Sequence, residues 1–393
     1  MSLTSTFSHA APAVYQQPYD IIVLGAGCAG LSLVMRLLQN PATQHKKILL
    51  VDKEPKQQND RTWCYWEKNE GFFESITTMQ WAQLDFYSNA YCGQLDMAPY
   101  RYKMIRGIDF YNHCLAVIQQ CPNVTSLYDE VLQYDAQTIK LAQGTIDCKG
   151  ALVFSSLYTP PAKKPGRYYL LQHFKGWMVQ TEEPHFDVHR ATLMDFRVSQ
   201  AHGASFVYVM PLAPNRALVE YTLFTESLLQ PDEYDAALKD YINQYLHIKS
   251  YTVTDVEFGV IPMTSVAMPS MLNGVYYIGT AGGQTKASSG YTFQFIQKQA
   301  TAIVANLATG KAPFANRKNN RRFQLYDNTL LHVMANKKMP GDAIFARLFA
   351  KNKAAALFKF LDNETTLPEE LKIMATVPQA KFIKAALAEM LKR

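Results

Sequence analysis

An apolar run of strand character, Ile21–Leu24, enters a glycine loop, a segment of helical period leaves it, and a second apolar run over 48–51 ends on Asp52. The pattern predicts strand, loop, helix, strand. Alternation in LDFYSN (84–89) and the tyrosines between Trp81 and Met104 predict strands of a second sheet. Helical spacing over 109–120 and strand-like runs up to about residue 155 read as a return to the first domain. Residues 205–226 form two β-rich runs joined by a Pro/Asn turn, 257–265 read as a strand that breaks at Pro262, and 275–278 lead into a second glycine loop with a helix from about Tyr291. From Lys311 onward the pattern is helical. The expected fold is α/β: a Rossmann-type dinucleotide domain (19–80, 105–157, 264–310), an interrupting antiparallel sheet that holds the substrate (81–104, 158–263), a basic helical C-terminal region (311–393) and a disordered tail (1–18).

The first loop is GxGxxG, with Gly25 for the tight turn, Gly27 for backbone approach to a pyrophosphate and Gly30 for close packing of helix on strand. Ala26, Cys28 and Ala29 complete it, and the phosphates would sit on the helix N-terminus, where free amides and the dipole favour anions. Asp52 follows Gly30 by 22 residues, where a carboxylate accepts ribose hydroxyls. The second loop carries Gly279, Thr280, Gly282 and Gly283, then Lys286, Ser288, Ser289 and Gly290. A strand, glycine loop and helix N-terminus thus appear for the second time.

Glu220 alternates onto a strand face whose other residues are mostly apolar. It is either half of a salt bridge, with Arg216 on the same face as its partner, or an acid kept protonated by desolvation. Arg61, Trp63, Tyr65 and Trp66 arrive almost together on one polar loop, as a buried aromatic platform or as core. Phe382, Ile383, Ala386, Leu387, Met390 and Leu391 give an apolar face beside Lys381, Lys384 and Lys392. Ile344, Phe345, Leu348 and Phe349 do the same beside Arg347, Lys351 and Lys353. Such helices either cap a domain or lie on an anionic membrane surface. Charge sharpens this: the net +6 hides a C-terminal surplus of nine (16 Lys and Arg against 7 Asp and Glu from Lys311 on), against 23 and 26 elsewhere.

At 48% hydrophobic and 18% charged residues, the 393-residue chain is expected to be globular. No run reaches the roughly 18 uncharged apolar residues of a membrane span, the nearest, Ile21 to Met35, being shorter and interrupted by glycines, and the N-terminus lacks the basic start and apolar core of a secretory signal. Six cysteines without CxxC or metal-type spacing fit a reducing compartment and imply no structural metal. No nucleic-acid recognition motif accompanies the basic region.

The motifs DIIVLGAGCAGLSL, NDRTWCYWE, MPLAPNRALVEYT, GVIPMTS and GTAGGQTKASSGYTF resemble the flavin-dependent lycopene beta-cyclase family, from about residue 19 to the last helix. The resemblance implies a flavoprotein fold of the p-hydroxybenzoate hydroxylase type. FAD would be held by Gly25–Gly30, Asp52, Lys53, Arg61, Gly279, Thr280, Gly282, Gly283, Ser289, Gly290 and Tyr291, and kept reduced by a donor such as NADPH. It also implies a redox-neutral, acid-initiated closure of lycopene ends to β-ionone rings, giving beta-carotene through gamma-carotene. Glu220 is then the acid, and Trp63, Tyr65, Trp66 and Tyr291 steady the cation. The protein would sit peripherally on the cytoplasmic face of the membrane that holds its carotene. Two departures are visible: Tyr221 stands where many relatives carry a second acid, and Ala287 where a proline is common. A flavin-dependent isoprenoid reductase or monooxygenase is the alternative from the same cofactor frame, and an inactive carotenoid- or lipid-binding module the alternative from another class.

Overall fold

Five short strands pair in parallel in the order Val124–Tyr128, Ile48–Asp52, Ile21–Leu24, Leu152–Ser155, Val275–Tyr277, with Met271–Leu272 antiparallel at the edge. They are apolar at successive positions because both faces are covered. Helices Cys28–Gln39, Gly107–Gln119 and Phe293–Ala308 pack on Ile21, Val23, Leu50 and Phe154. An antiparallel sheet of Val131–Tyr134, Thr138–Leu141 and Thr145–Asp147 covers Ile22, Leu24, Leu49 and Val153. This computed structural model describes residues 13–315 and 321–392. Most of the expected tail and part of the basic stretch, at 316–320 and 393, lie outside the described residues. Within the tail, Ala13–Gln16 is helical, and the Tyr15 hydroxyl donates to Asp129 at 3.0 Å.

The second body is a seven-stranded sheet in the order Thr252–Thr264, Tyr169–Gln180, Arg216–Thr225, Ala204–Ala213, Arg190–Asp195, Gln83–Tyr87, Cys92–Asp96. Its outer face packs Trp177, Val179, Val219 and Tyr221 on helix Pro231–Gln244. Its inner face, with Phe206, Tyr208, Met210, Leu218 and Phe224, looks into a large aromatic core. Arg101–Arg106 instead pairs with Thr62–Glu67 on one side and Met79–Trp81 on the other, forming a small sheet over that core.

Three expectations change. Trp63, Tyr65 and Trp66, expected on a loop, lie on strand Thr62–Glu67, because its pairing with Arg101–Arg106 satisfies the backbone there. The strand does not break at Pro262 but runs on to Thr264. Thr252–Thr264 is the sheet's edge, paired only with Tyr169–Gln180, so a residue without an N–H is tolerated there. In the C-terminal helices the apolar residues do two jobs. Ile344, Phe345 and Phe349 of Gly341–Lys351 are buried, the two phenylalanines against Phe196, Phe224 and Phe86, so this helix completes the core. Helix Gln379–Leu391 is split: Ala385 packs under helix Arg321–Ala335, with Phe382 against the same cluster, while Ile383, Leu387, Met390 and Leu391 are exposed.

Candidate active site

Glycine geometry brings the two loops together. A methyl group on Gly30 would strike the carbonyl oxygen of Gly25, and one on Gly279 would lie 2.6 Å from the Ala29 Cβ. The second loop therefore rests on the first turn of the first helix. At Gly27 a methyl would meet nothing within 4 Å, which leaves open space in front of the amides of Cys28, Ala29 and Gly30. Asp52 is nearly buried at the strand end, accepting from the Ala26 N–H at 2.7 Å and from Lys56 Nζ at 2.9 Å, in a niche shared with Ser126 and Tyr128. Lys53 instead points to solvent beside Glu54. Arg61 bonds Asp60 at 2.7 Å, and Asp60 takes the Tyr111 hydroxyl at 2.9 Å. The guanidinium also acts on the Cys28 thiol, whose pKa burial pushes up to about 12.

Further along, the Thr280 hydroxyl pairs with Thr285 at 3.1 Å, and Gly282 and Gly283 complete the turn. Gly290, at φ +71°, faces the side chain of Gln172. The Ser289 hydroxyl and the Gln172 carbonyl oxygen are both buried without a hydrogen-bond partner among the described residues. Open space at a helix N-terminus, a carboxylate at the strand end, an arginine beside the loop and two orphaned polar atoms at the far end fit an extended dinucleotide. A cleft of about 1070 Å³ opens beside the second loop, with Thr280, Gly283, Thr285, Lys286, Phe295 and Phe323 in its wall.

Neither Glu220 nor Glu257 lines that cleft. Strand alternation puts Glu220 on the inner face, beside Tyr208 on the neighbouring strand. It is enclosed yet keeps part of its surface free, and it accepts the Thr222 hydroxyl at 2.9 Å. Its other partner is a carboxyl that the sequence did not single out, Glu257, which accepts the Thr62 hydroxyl at 2.7 Å. Burial, and then the facing Glu257, push Glu220 well above the usual carboxylic range; burial also raises Glu257, against the Thr62 hydrogen bond. The salt-bridge alternative does not form: Arg216 sits at the hairpin end opposite Gln180, its Nε without a hydrogen bond among the described residues.

The aromatic residues divide by strand alternation. Trp63 and Tyr65 face Phe110, Tyr111 and Phe293 in the dinucleotide domain. Cys64 and Trp66 face the other way, and Trp66 lies edge-on to Tyr291 at 4.4 Å and stacks on Phe358 at 4.7 Å. The Tyr291 hydroxyl faces those of Tyr102 and Tyr208, all raised by burial. The structure thus brings Glu220, Tyr291 and Trp66 to one side, and leaves Trp63 and Tyr65 on the opposite face of their strand. Tyr221 packs against Tyr234 on the outer face, so a side chain at that position cannot reach Glu220. Glu257, Thr62, Tyr102 and Tyr208 were missed because their strands meet only in three dimensions; a glycine at 176, inside a strand, was the available signal.

The architecture is that of FAD-dependent reductases and monooxygenases. The chain superposes on a geranylgeranyl bacteriochlorophyll reductase-like protein from Thermoplasma acidophilum with a TM-score of 0.67 (13% identity, 95% of this chain, 99% of that one). It superposes on a flavoprotein/dehydrogenase from Cytophaga hutchinsonii at 0.60 (12%, 96% and 100%), and on a probable FAD-dependent monooxygenase from Pseudomonas aeruginosa at 0.52 (12%, 88% and 99%). With that fold, the chain belongs to the lycopene cyclase protein family, whose profile matches residues 20–387. Its relatives include lycopene beta-cyclases of Pseudescherichia vulneris, 25% identical over 75% of each chain, and of Pantoea ananas, 24% identical over 63% of each.

Proposed function

We propose that this protein is a lycopene beta-cyclase that binds FAD and acts in its reduced state, with NADPH or a similar donor supplying the electrons. Asp52, the amides at Cys28–Gly30, Arg61 and the Thr280–Gly290 loop would hold the cofactor. Reduced flavin, when bound, supplies negative charge beside the reacting end of the carotene. The observation that carries the reading is Glu220, an enclosed carboxyl facing a second carboxyl, with no cation among its bonded partners in the described residues. Burial and the facing carboxyl favour the protonated form of such a group, which can protonate an alkene, a step that positioned general acids accelerate by about two to four powers of ten. Glu220 donates to the terminal double bond of lycopene, the tertiary cation is attacked by the neighbouring double bond, and loss of a proton closes the β-ionone ring. The faces of Trp66 and Tyr291 steady the cation, at about 2 kcal/mol for a desolvated contact. Repetition at the other end leads through gamma-carotene to beta-carotene.

Carotenes dissolve in bilayers, at about 0.8 kcal/mol per CH₂ removed from water, and no helix among the described residues is long and apolar enough to cross a membrane. Peripheral contact at the cytoplasmic face is therefore part of the proposal. The outward residues Ile383, Leu387, Met390 and Leu391, beside Lys381, Lys384 and Lys392, offer an apolar stripe with basic flanks.

The test is lycopene in liposomes with FAD, with and without dithionite. A product of unchanged mass and blue-shifted absorbance, formed only under reduction and lost in Glu220→Gln, is expected. A product heavier by two hydrogens or by oxygen would refute the cyclase reading.

A further inference from the structure

Glu220, Gly176 and Glu257 stand at one level on three adjacent antiparallel strands: Gly176 is the register partner of Glu220 on one side and of Glu257 on the other. Side chains two strands apart start roughly 10 Å from one another, and a side chain between them would keep them so. At Gly176 there is none. A methyl group built there would come within 2.9 Å of Glu257 Cγ and 3.3 Å of its Oε1, so the Glu257 side chain lies across the vacant position toward Glu220. The two carboxyls hydrogen-bond each other. Thr62 donates to one oxygen of Glu257, while the other, Oε1, is buried with no donor among the described residues apart from a protonated Glu220. Two carboxylates cannot make that contact, because like charges at hydrogen-bond distance in a dry site repel strongly; one proton between them satisfies both. The other titratable groups near the pair are Cys64, Tyr208 and Tyr291, with Asp60 and Asp255 acting on Glu257 from further out. All of them are neutral or acidic, so none replaces that proton as a counter-charge.

We propose that Glu257 is the base of the reaction: it takes the proton released at ring closure and returns it to Glu220 along their hydrogen bond. This rests on the cyclase reading above. The balance closes without solvent. Glu220 gives its proton to the terminal alkene carbon and becomes a carboxylate. The neighbouring double bond attacks the cation, and the new cation loses a proton to the Glu257 carboxylate, whose transfer back restores the starting pair. No electrons are gained or lost. The carbon that gains a proton and the carbon that loses one are separated by a single ring carbon, so two carboxyls in contact can serve both. The side from which Glu257 reaches the cation also selects the proton that leaves, and with it the position of the ring double bond.

The experiment compares wild type, Glu257→Gln and Glu257→Asp as FAD-loaded, dithionite-reduced enzymes on lycopene liposomes, and records the infrared carboxyl band of each resting protein. Removing a general base is expected to lower kcat about a hundredfold with KM nearly unchanged. Asp is expected to restore part of it, and the residual E257Q product to hold a larger share of rings with a displaced double bond. Wild-type activity should fall toward acid as Glu257 takes up its own proton, and E257Q should lack that limb. The resting wild type should show one protonated-carboxyl band at neutral pH, absent in Glu220→Gln and shifted in E257Q. An E257Q enzyme with wild-type kcat, ring distribution and acid limb overturns the base role; a band unmoved by E257Q overturns the shared proton. A wild type that closes no rings refutes the cyclase reading, and with it the base role, while the infrared band still decides the shared proton.

Discussion

Replacing Lys286 by methionine should unpin the second glycine loop from the C-terminal helices. The ammonium is almost wholly buried, with 1% of its side chain exposed, and bonds Asp327 Oδ1 and Asn363 Oδ1, each at 2.8 Å. The Ser288 hydroxyl donates to the same aspartate oxygen at 2.6 Å. In Lys286→Met, Asp327 keeps that hydroxyl as its side-chain partner among the described residues. Removing one partner of a buried pair costs about 3–5 kcal/mol, and the 12% exposure of Asp327 places this case near the lower end, about 3 kcal/mol. Urea unfolding followed by circular dichroism would read the loss. The double variant Lys286→Met/Asp327→Leu, which removes both charges, should recover most of it, since a packed apolar pair is often as stable as a buried ion pair. Because Thr285 to Gly290 belong to the proposed flavin site, FAD titration should show weaker binding in the single variant and recovery in the double. A single-variant cost below about 1 kcal/mol, the range of exposed pairs, or a double variant no better than the single, would refute the reasoning.

Gly30→Ala should abolish FAD retention on gel filtration and lower the thermal midpoint, because the new methyl points at a backbone carbonyl that cannot turn aside. Glu220→Gln should flatten the pH dependence of stability. The unfolded chain releases this proton near pH 4.3, while the folded protein, its carboxyl raised by burial, holds it to higher pH. The folded state thus binds more protons, and wild-type stability falls as pH rises through that window; a urea midpoint with the same slope in both proteins would count against a neutral Glu220. On helix Gln379–Leu391, Leu387→Asp should leave the melting temperature within a degree or two and weaken sedimentation with anionic liposomes. Ala385→Asp, at a fully buried position, should instead destabilise the fold.

The dinucleotide half was legible because its signals are local. Gly25, Gly27, Gly30 and Asp52 lie within one strand–helix–strand unit, and the observed elements, Ile21–Leu24, Cys28–Gln39 and Ile48–Asp52, follow the pattern closely. Glu220 was legible through strand alternation, which gives the face but not the neighbours. Glu257 was not, because its meeting with Glu220 depends on the register of three strands and on the vacancy at Gly176. The same limit explains the aromatics: period two separates Trp63 and Tyr65 from Cys64 and Trp66, but only packing shows which pair faces the acid. Helix Gly341–Lys351 has the amphipathic pattern of a surface binder and is used for core, because the sheet offers Phe86, Phe196 and Phe224 for it to cover.

The order of strands in the parallel sheet sets a schedule for biosynthesis. Val275–Tyr277 pairs with Leu152–Ser155, and the aromatic core around Trp66 waits for Phe349 and Phe358, which are made much later. At roughly 5–20 residues per second, the nascent dinucleotide half stands with an unpaired strand edge and uncovered rings for on the order of ten seconds. A ribosome-bound fragment ending before Arg321 should therefore depend on chaperones until the helices that cover the rings have been made.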